Sequence, residues 1–380
     1  MYAFYVPNLR FPEFQGEWEK CRLADVCSFF SGGTPSSSNK DFYGGNIPFI
    51  RSGELHKEET ELFITQSGYE NSSAKMVEVG DLLLAMYGAT SGDVAISKIK
   101  GAINQAILCI RTKHNNKFIE SVWNKHVSKI LVKYLQGGQG NLSADIVKRI
   151  SFSLPSLAEQ KKISHLMQLI DVRIATQNKI IGKLQSLIKG IVDCTILRKE
   201  KNAIVGDVCS ISEQIRAEAN IDDIITVRLH GNGVCKSSAE NLQLGATQYY
   251  RRRAGQLIYG KQNFHNGAIG IVPISLDNGI TSKDIPSFDI DEMKCNSVYL
   301  LAQLQSPQYY KPAEALTTGT GSKRLKEETF LKMPIVLPNK REQDNIAVLI
   351  HRASMNLDHA KRLLELLSIQ KQFLLRQMFI

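Results

Sequence analysis

Two long stretches of the chain repeat an apolar residue every three or four positions. This spacing is close to the 3.5-residue period that keeps one face of an α-helix apolar, and it is typical of coiled coils. The pattern predicts two helices of about 40 residues, or about 60 Å at 1.5 Å per residue. The main positions of this seam are Ile163, Ile170, Ile174, Ile181 and Leu184 in the first stretch, and Ile346, Ile350, Leu357, Leu364 and Leu367 in the second.

Both predicted helices begin at a similar motif, LPSLAEQKKI from Leu154 and LPNKREQDNI from Leu337. Ser156 and Asn339 are good N-caps. Each is followed three residues later by a glutamate, whose carboxylate can reach back to the N–H group of the cap. The proline before each cap disfavours helix in the residue ahead of it, which sharpens the boundary. The repeated motif indicates an internal duplication.

The segments before the two helices follow a different pattern. Short runs of β-branched and aromatic residues, such as IPFIRS and AIGIVPI, alternate with Gly, Asn, Asp and Ser, which predicts compact β-rich domains. Landmarks keep their order in both segments: LADVC at 23–27 and VGDVC at 205–209, GDLL at 80–83 and GQLI at 255–258, and GDVAI at 92–96 and GAIGI at 267–271. The predicted parts are a domain at 1–153, a helix at 154–199, a domain at 200–333 and a helix at 334–380.

The two apolar seams have two possible partners. Two equally long seams in one chain are suited to each other, which predicts a coiled coil. Alternatively, each seam packs its helix on its own globular domain. The length favours the coiled coil, because helices of globular proteins average about 11–12 residues.

The composition is that of a globular protein with an anionic partner. Apolar residues make up 43% of the chain, charged residues 22%, and mean hydropathy is -0.17, so membrane and disordered classes are disfavoured. The net charge of +10 favours a polyanion such as nucleic acid. The seven cysteines include no C-x-x-C pair, and the start lacks a secretory signal pattern. We therefore expect reduced cysteines in a cytoplasmic protein.

Sequence signatures of catalysis are not evident. The chain has no G-x-x-x-x-G-K-[ST] phosphate loop, no G-x-G-x-x-G that follows a strand and opens a helix, and no Asn-Pro-Pro-aromatic or Asp-Pro-Pro-aromatic tetrapeptide of an adenine methyltransferase. Asp289, Asp291, Glu292 and Lys294 only weakly resemble a nuclease cluster, and a solvated charged turn is the preferred interpretation. We predict no catalytic residue and no metal ligand.

Cations and aromatics in predicted loops are better candidates, for contacts with nucleic acid. The run from Tyr249 to Arg253 places three guanidinium groups beside two tyrosines, and guanidinium groups pair with phosphates or read guanine. The loops GGQGNLS at 137–143 and TGTGSKR at 318–324 can bring backbone N–H groups near a phosphate. A solvated edge strand and simple turns are the alternatives. The predicted contacts are Lys40, Arg51, Tyr87, Asn141, Arg228, Arg251, Arg252, Arg253, Lys261, Lys323 and Arg324.

The doubled LP-x-x-x-EQ-x-x-I motif, the long helix after each copy and the β-rich domain before each copy resemble the specificity subunit of type I restriction–modification systems. The opening PNLRFPEFQGEWEKCRLADV is similar to the usual start of such a subunit. The resemblance implies an α+β fold in which two target recognition domains are separated and joined by two long antiparallel coiled-coil helices, with an internal pseudo-two-fold repeat. Each domain would read one half of an interrupted DNA target, and the helices would set the gap.

The same resemblance implies a non-catalytic subunit that binds double-stranded DNA. It would recruit two methyltransferase subunits through its helices, together with restriction and translocase subunits. S-adenosylmethionine, ATP and Mg would belong to those partners, and this chain would hold no cofactor. One alternative is a single-chain methyltransferase or nuclease with a duplicated target domain, which would need a cofactor motif. Another is a coiled-coil interaction protein that does not bind DNA, which the basic charge disfavours.

Overall fold

The computed structural model describes residues 6–134, 141–237, 247–319 and 323–380. The chain forms two compact units: unit 1 comprises Met1–Gln177 with Leu363–Ile380, and unit 2 comprises Asn178–Arg362. Each unit contains one β-rich part, which we call head 1 (residues 19–154) and head 2 (residues 203–335), together with a portion of each long helix. Because this division falls within the helices, the predicted limits 1–153, 154–199, 200–333 and 334–380 remain predictions.

Head 1 combines short strands with helices of varied length. Its strands are β1 (Glu19–Arg22), β2 (Cys27–Ser31), β3 (Tyr43–Ile50), β4 (Phe63–Ile64), β5 (Lys75–Val77), β6 (Leu82–Ala85), β7 (Val94–Ile96), β8 (Gly101–Ile103), β9 (Ile107–Thr112) and β10 (Ser151–Leu154). The helices are α1 (Leu23–Val26), α2 (Gln66–Glu70), α3 (Asn116–Tyr134) and α4 (Ala144–Arg149), followed by the long helix α5 (Leu157–Val192). One sheet has the order β2-β9-β6-β7, a second has the order β4-β3-β8-β5, and β1 pairs with β10.

Head 2 has a similar make-up. Its strands are β11 (Ala203–Ile204), β12 (Cys209–Ile211), β13 (Arg216–Ala217), β14 (Ile225–Val227), β15 (Val234–Lys236), β16 (Tyr249–Arg251), β17 (Leu257–Tyr259), β18 (Ile269–Ile271), β19 (Ile280–Ser282), β20 (Ser287–Ile290) and β21 (Pro334–Ile335). Its helices are α6 (Ser297–Leu304), α7 (Pro307–Tyr310) and α8 (Glu327–Leu331), followed by the long helix α9 (Lys340–Met378). The sheets have the orders β12-β20-β17-β18, β13-β16-β19 and β14-β15, and β11 pairs with β21.

The internal repeat is visible as a repeated topology. The sheet β12-β20-β17-β18 has the same connections as β2-β9-β6-β7, and in each unit the opening strand pairs with the strand that precedes a long helix. The matched motifs LADVC and VGDVC both form a short helical turn that leads directly into a strand. Asp25 accepts a hydrogen bond from the Arg22 N–H group at 3.2 Å, and Asp207 accepts one from the Ile204 N–H group at 2.8 Å. The predicted duplication is therefore confirmed.

The heads differ mainly in their remaining strands. Head 1 arranges them as the sheet β4-β3-β8-β5, in which β3 and β8 are parallel. Head 2 arranges them as the separate ladders β13-β16-β19 and β14-β15. Arg51 follows β3, Arg228 follows β14 and Arg251 ends β16, so these predicted contacts lie at the ends of the divergent strands.

The long helices follow the predicted apolar seam. α5 is 36 residues long and α9 is 39. Ile163, Ile170, Ile346, Ile350 and Leu367 are buried. The remaining predicted seam positions are half-buried: Ile174, Ile181, Leu184, Leu357 and Leu364.

Each unit combines the beginning of one long helix with the end of the other. In unit 1, Ile163 of α5 shares a core with Leu375 and Met378 of α9. In unit 2, Val192 of α5 shares a core with Ile346 of α9. This is the arrangement that an antiparallel pair produces, and it confirms the predicted fold class. Among the described residues, none of the helices combines the length and the apolar character that a membrane span requires.

Candidate nucleic-acid interface

The motif at the start of α5 forms a joint between this helix and head 1. Ser156 caps the helix, since its hydroxyl accepts a hydrogen bond from the Glu159 N–H group at 3.3 Å. The Gln160 side chain is completely buried. Its carbonyl oxygen accepts from the Asn115 N–H group at 3.1 Å, and its amide group donates to the Pro155 carbonyl at 2.9 Å. Because Asn115 immediately precedes α3, Gln160 fixes the start of α5 against the helix of its head.

The second copy of the motif repeats this joint in unit 2. Asn339 accepts a hydrogen bond from the Glu342 N–H group at 3.0 Å. The buried Gln343 side chain accepts from the Asn296 N–H group at 2.9 Å and donates to the Pro338 carbonyl at 2.8 Å. Asn296 immediately precedes α6, so the two joints share the same two hydrogen bonds.

The glutamates of the two motifs have a role other than the predicted capping box. The Glu159 carboxylate does not bond back to its cap; instead it receives two hydrogen bonds of 2.8 Å from the Arg10 guanidinium. Glu342 correspondingly forms an ion pair with Lys199. Both cations lie shortly before a head begins, so each glutamate ties the entry segment of a head to the helix that leaves it.

Asn115 and Asn296 are residues of the two joints that the sequence analysis missed. Each uses its side chain to cap its own helix, through bonds of 3.0 Å to the Phe118 N–H group and 3.2 Å to the Tyr299 N–H group. A signal was present, because an asparagine lies 45 residues before Gln160 and another lies 47 residues before Gln343.

Predicted contacts of head 1 gather partly at one edge. Tyr87 is 38% exposed at the turn after β6. The Leu142 N–H group donates to the Met86 carbonyl at 2.9 Å, which places the exposed Asn141 beside that turn. Lys40 is exposed, but no described contact joins it to this group.

Arg51 is engaged by carboxylates, although half of its side chain is exposed. It pairs with Glu54 and Glu61, both at 3.1 Å. Burial opposes ionisation of Glu54, but hydrogen bonds from Arg51, from the Glu61 N–H group and from Thr60 outweigh it and lower the pKa of Glu54 to about 2. To contact a phosphate, Arg51 must therefore break one of these ion pairs or bind the phosphate while it keeps them.

The prediction that Arg252 contacts DNA is contradicted by its position inside head 2. Arg252 is 0% exposed. Its guanidinium donates to Thr281 at 2.8 Å, Ser287 at 3.0 Å, Gln214 at 3.3 Å and the Ile285 carbonyl at 3.0 Å. Burial lowers the pKa of Arg252 to about 10. The residue joins strands of the head and is not available to a phosphate.

Lys261 is also largely buried, contrary to its prediction as a contact. It is 9% exposed, and its ammonium group pairs with Glu327 at 2.7 Å. The flanking arginines of the run behave differently. Arg251 and Arg253 are exposed and line an open groove beside Gln256 and Asp289.

The remaining predicted contacts of head 2 lie on its surface. Lys323 and Arg324 are about half exposed and pair with Glu314 at 3.6 Å and Asp284 at 3.2 Å. Arg228 is exposed, and its guanidinium donates to the Cys235 Sγ atom at 3.0 Å. Residues 137–140 and 320–322 of the predicted phosphate loops lie outside the described residues.

The described residues hold no group of three or more His, Cys, Asp or Glu that could bind a metal ion. In the weak nuclease-like cluster, Asp291 pairs with Lys294 at 3.1 Å and Asp289 accepts a hydrogen bond from Gln256 at 2.9 Å. These local contacts favour the charged-turn interpretation.

Comparisons with known proteins agree with one another. A family model for the type I restriction modification DNA specificity domain matches residues 15–186. The MjaVIII specificity subunit of Methanocaldococcus jannaschii, from a type I restriction enzyme, is 21% identical over 375 residues, which cover 90% of this chain and 86% of that protein. The EcoR124I/EcoR124II specificity subunit of Escherichia coli is 26% identical over 183 residues, 45% of each chain.

Solved structures share the fold. The crystal structure of a type I restriction–modification S subunit from M. genitalium covers 99% of both chains, with a TM-score of 0.67 and 11% identity. A chain from a structural study of complex assembly and conformational transition of the type I R-M system covers 94% of this chain and 96% of its own, with a TM-score of 0.52 and 13% identity. At sequence identities this low, the similarity to the two solved structures shows a shared fold and no more.

Proposed function

We infer that this chain, which belongs to the specificity subunits of type I restriction–modification systems, reads DNA sequence for such a complex and is itself not an enzyme. The observation that carries the function is the doubled joint. Two heads with the same core topology are each fixed to a long helix through a buried glutamine, Gln160 or Gln343. Such a duplication suits the reading of two half-sites at a set separation.

We propose that each head reads one half of an interrupted duplex target. The divergent strands of the two heads would contact different bases, since only differing surfaces read differing sequences. The proposed contacts are those that remain accessible: Lys40, Arg51, Tyr87, Asn141, Arg228, Arg251, Arg253, Lys323 and Arg324. Arg252 and Lys261 are left out because they are buried.

The partners of the long helices would be two methyltransferase subunits. Large apolar side chains outside the seam remain exposed on both helices, and exposed apolar surface of this kind marks protein contacts. These residues are Leu157, Leu169, Val172, Ile180 and Leu187 on α5, and Val348, Leu349, Met355, Leu363, Leu366, Ile369 and Phe373 on α9. The duplicated helices would offer each methyltransferase a similar docking face, and restriction and translocase subunits would join the same complex.

The partner subunits would supply the cofactors of the complex, namely S-adenosylmethionine, ATP and Mg. The chain would act in the cytoplasm, where its DNA and these subunits are present.

Adenine-methylation mapping of the host genome tests the proposed function. We expect deletion of the gene to abolish methylation at one interrupted, two-part motif, and an intact copy in trans to restore it. A test variant carries Arg251→Ala and Arg253→Ala. Its control is Lys294→Ala, which removes another exposed cation of head 2. An unchanged methylome after deletion, in a host that demonstrably expresses the cognate methyltransferase, would contradict the proposal and favour a protein that does not act on DNA.

A further inference from the structure

A basic groove lies in unit 1 between α3 and the strands β1 and β10. Lys129 and Lys133 form one wall from α3, and Arg149, the last residue of α4, and Lys20 of β1 also line it. The groove is open to solvent, with a volume of about 340 Å³. None of these four residues was among the contacts predicted from the sequence.

Three cations of this groove are not neutralised by the carboxylates of the described structure. Lys129, Lys133 and Arg149 are exposed and form no ion pair among the described residues. Lys129 lies four residues from Lys133 and four from Lys125, and like charges at this helical spacing destabilise a helix. This row of lysines, which has no carboxylate partners on the helix, therefore does not stabilise α3 itself.

A half-buried histidine also lines the groove. The His126 ring lines the groove and stacks on Phe152, with ring centroids 5.8 Å apart. Burial lowers the pKa of His126, a hydrogen bond with the Ile380 backbone opposes this, and the charges of Lys125 and Lys129 lower the pKa further.

The chemistry of the groove suits an extended polyanion better than a protein surface. Its apolar lining residues Ile130, Ile150 and Phe152 are buried and Tyr134 is 38% exposed, and the lining contains cations but no carboxylate. Protein interfaces have the opposite composition, with lysine depleted and apolar residues enriched at their centres. Lys129 and Lys133 lie one helical turn apart, about 6 Å along α3, and can follow successive phosphates of one strand.

We propose that this groove binds the phosphate backbone of duplex DNA and positions head 1 on it without reading bases. The proposal rests on the proposed function, because it assumes that the chain acts on duplex DNA. Phosphate contacts of this kind release counterions and supply affinity that is independent of sequence.

The salt dependence of DNA binding tests the groove. The complex of the full chain with its methyltransferase subunits is titrated against a fluorescent duplex of random sequence at several salt concentrations. The test variant carries Lys129→Ala, Lys133→Ala and Arg149→Ala. The control carries Lys75→Ala, Lys98→Ala and Lys100→Ala, which removes the same charge from exposed sites of the same head. Tryptophan fluorescence verifies that both variants fold, because Trp18 and Trp123 are both buried in unit 1.

In the test variant we expect the slope of log affinity against log salt to become shallower by about 2 to 3, at about 0.9 for each phosphate that the groove no longer neutralises. A slope that changes no more than in the control overturns the proposal. A test variant that folds but no longer assembles with the methyltransferase also overturns the proposal, because the groove would then be a protein-docking surface. If the unsubstituted complex fails to bind any duplex, the proposed function itself fails, which is a separate outcome.

Discussion

Replacing Gln160 with alanine tests whether the joint at the start of α5 stabilises unit 1. The side chain is fully buried and makes hydrogen bonds of 3.1 Å with the Asn115 N–H group, 2.9 Å with the Pro155 carbonyl and 3.0 Å with the His114 Nδ1 atom. At a net value near 1 kcal/mol per bond, the substitution should lower the free energy of unfolding by about 3 kcal/mol. Glutamate at this position should be no better, because it buries a charge and cannot donate to the carbonyl.

The position of the tryptophans allows this change to be measured in unit 1 alone. The chain has two tryptophans, Trp18 and Trp123, and both lie in the core of unit 1. With a urea dependence of about 2 kcal/mol per molar, a loss of about 3 kcal/mol lowers the fluorescence midpoint by about 1.5 M. Gln370→Ala, at an exposed site of α9 in the same unit, serves as the control. A Gln160→Ala midpoint within about 0.3 M of that control would refute the reasoning.

Three further predictions concern a buried arginine, a paired carboxylate and the helix seam. Arg252→Ala should lower the stability of unit 2 by about 3 kcal/mol, because it leaves buried acceptors unpaired and opens a cavity. The control, Arg253→Ala, should leave thermal unfolding unchanged. Equal melting temperatures of the two variants would contradict the burial argument. The pKa of Glu54 is lowered to about 2 in the folded state, so the stability it contributes is present above its ordinary pKa of 4.5 and is lost as pH falls from there towards 2. Glu54→Gln should therefore flatten the acid dependence of tryptophan-detected unfolding, and an unaltered dependence would count against this assignment. Ile174→Asp, in the half-buried seam, should lower the free energy of unfolding by about 2 kcal/mol in thermal unfolding. Val172→Asp, at a 56% exposed site, should leave stability intact and weaken assembly with partner subunits. An unchanged melting temperature for Ile174→Asp would show that the seam is misassigned.

Much of the architecture could be predicted from local patterns. The seam of α5 and α9 repeats at helical spacing, and the caps Ser156 and Asn339 occupy the predicted places. The turn glycines of the repeat were also predictable: Gly92 and Gly267 both adopt a positive φ, 88° and 76°. Such features depend on a few neighbouring residues, so the order of residues is enough to reveal them.

The binding surface was less predictable, because accessibility depends on distant residues. Arg251, Arg252 and Arg253 are equivalent by charge, yet the middle one is buried. Arg252 and Arg253 follow the last residue of β16, so the alternation of side chains along that strand does not identify the buried one. The Arg252 guanidinium donates hydrogen bonds to Thr281 and Ser287, among others. These acceptors lie about thirty residues later in the chain, and only the fold brings them close to Arg252.

The sequence by itself determined the duplication, the two long helices, their starting points and the resemblance to specificity subunits. Each of these follows from an apolar period or from a repeated motif. Tertiary structure alone decided which cations face solvent, that Glu159 and Glu342 pair with Arg10 and Lys199, and that Gln160 and Gln343 each bind an asparagine in their own head. These contacts join residues far apart in the chain. Their existence depends on burial and on packing between elements, which no local pattern specifies.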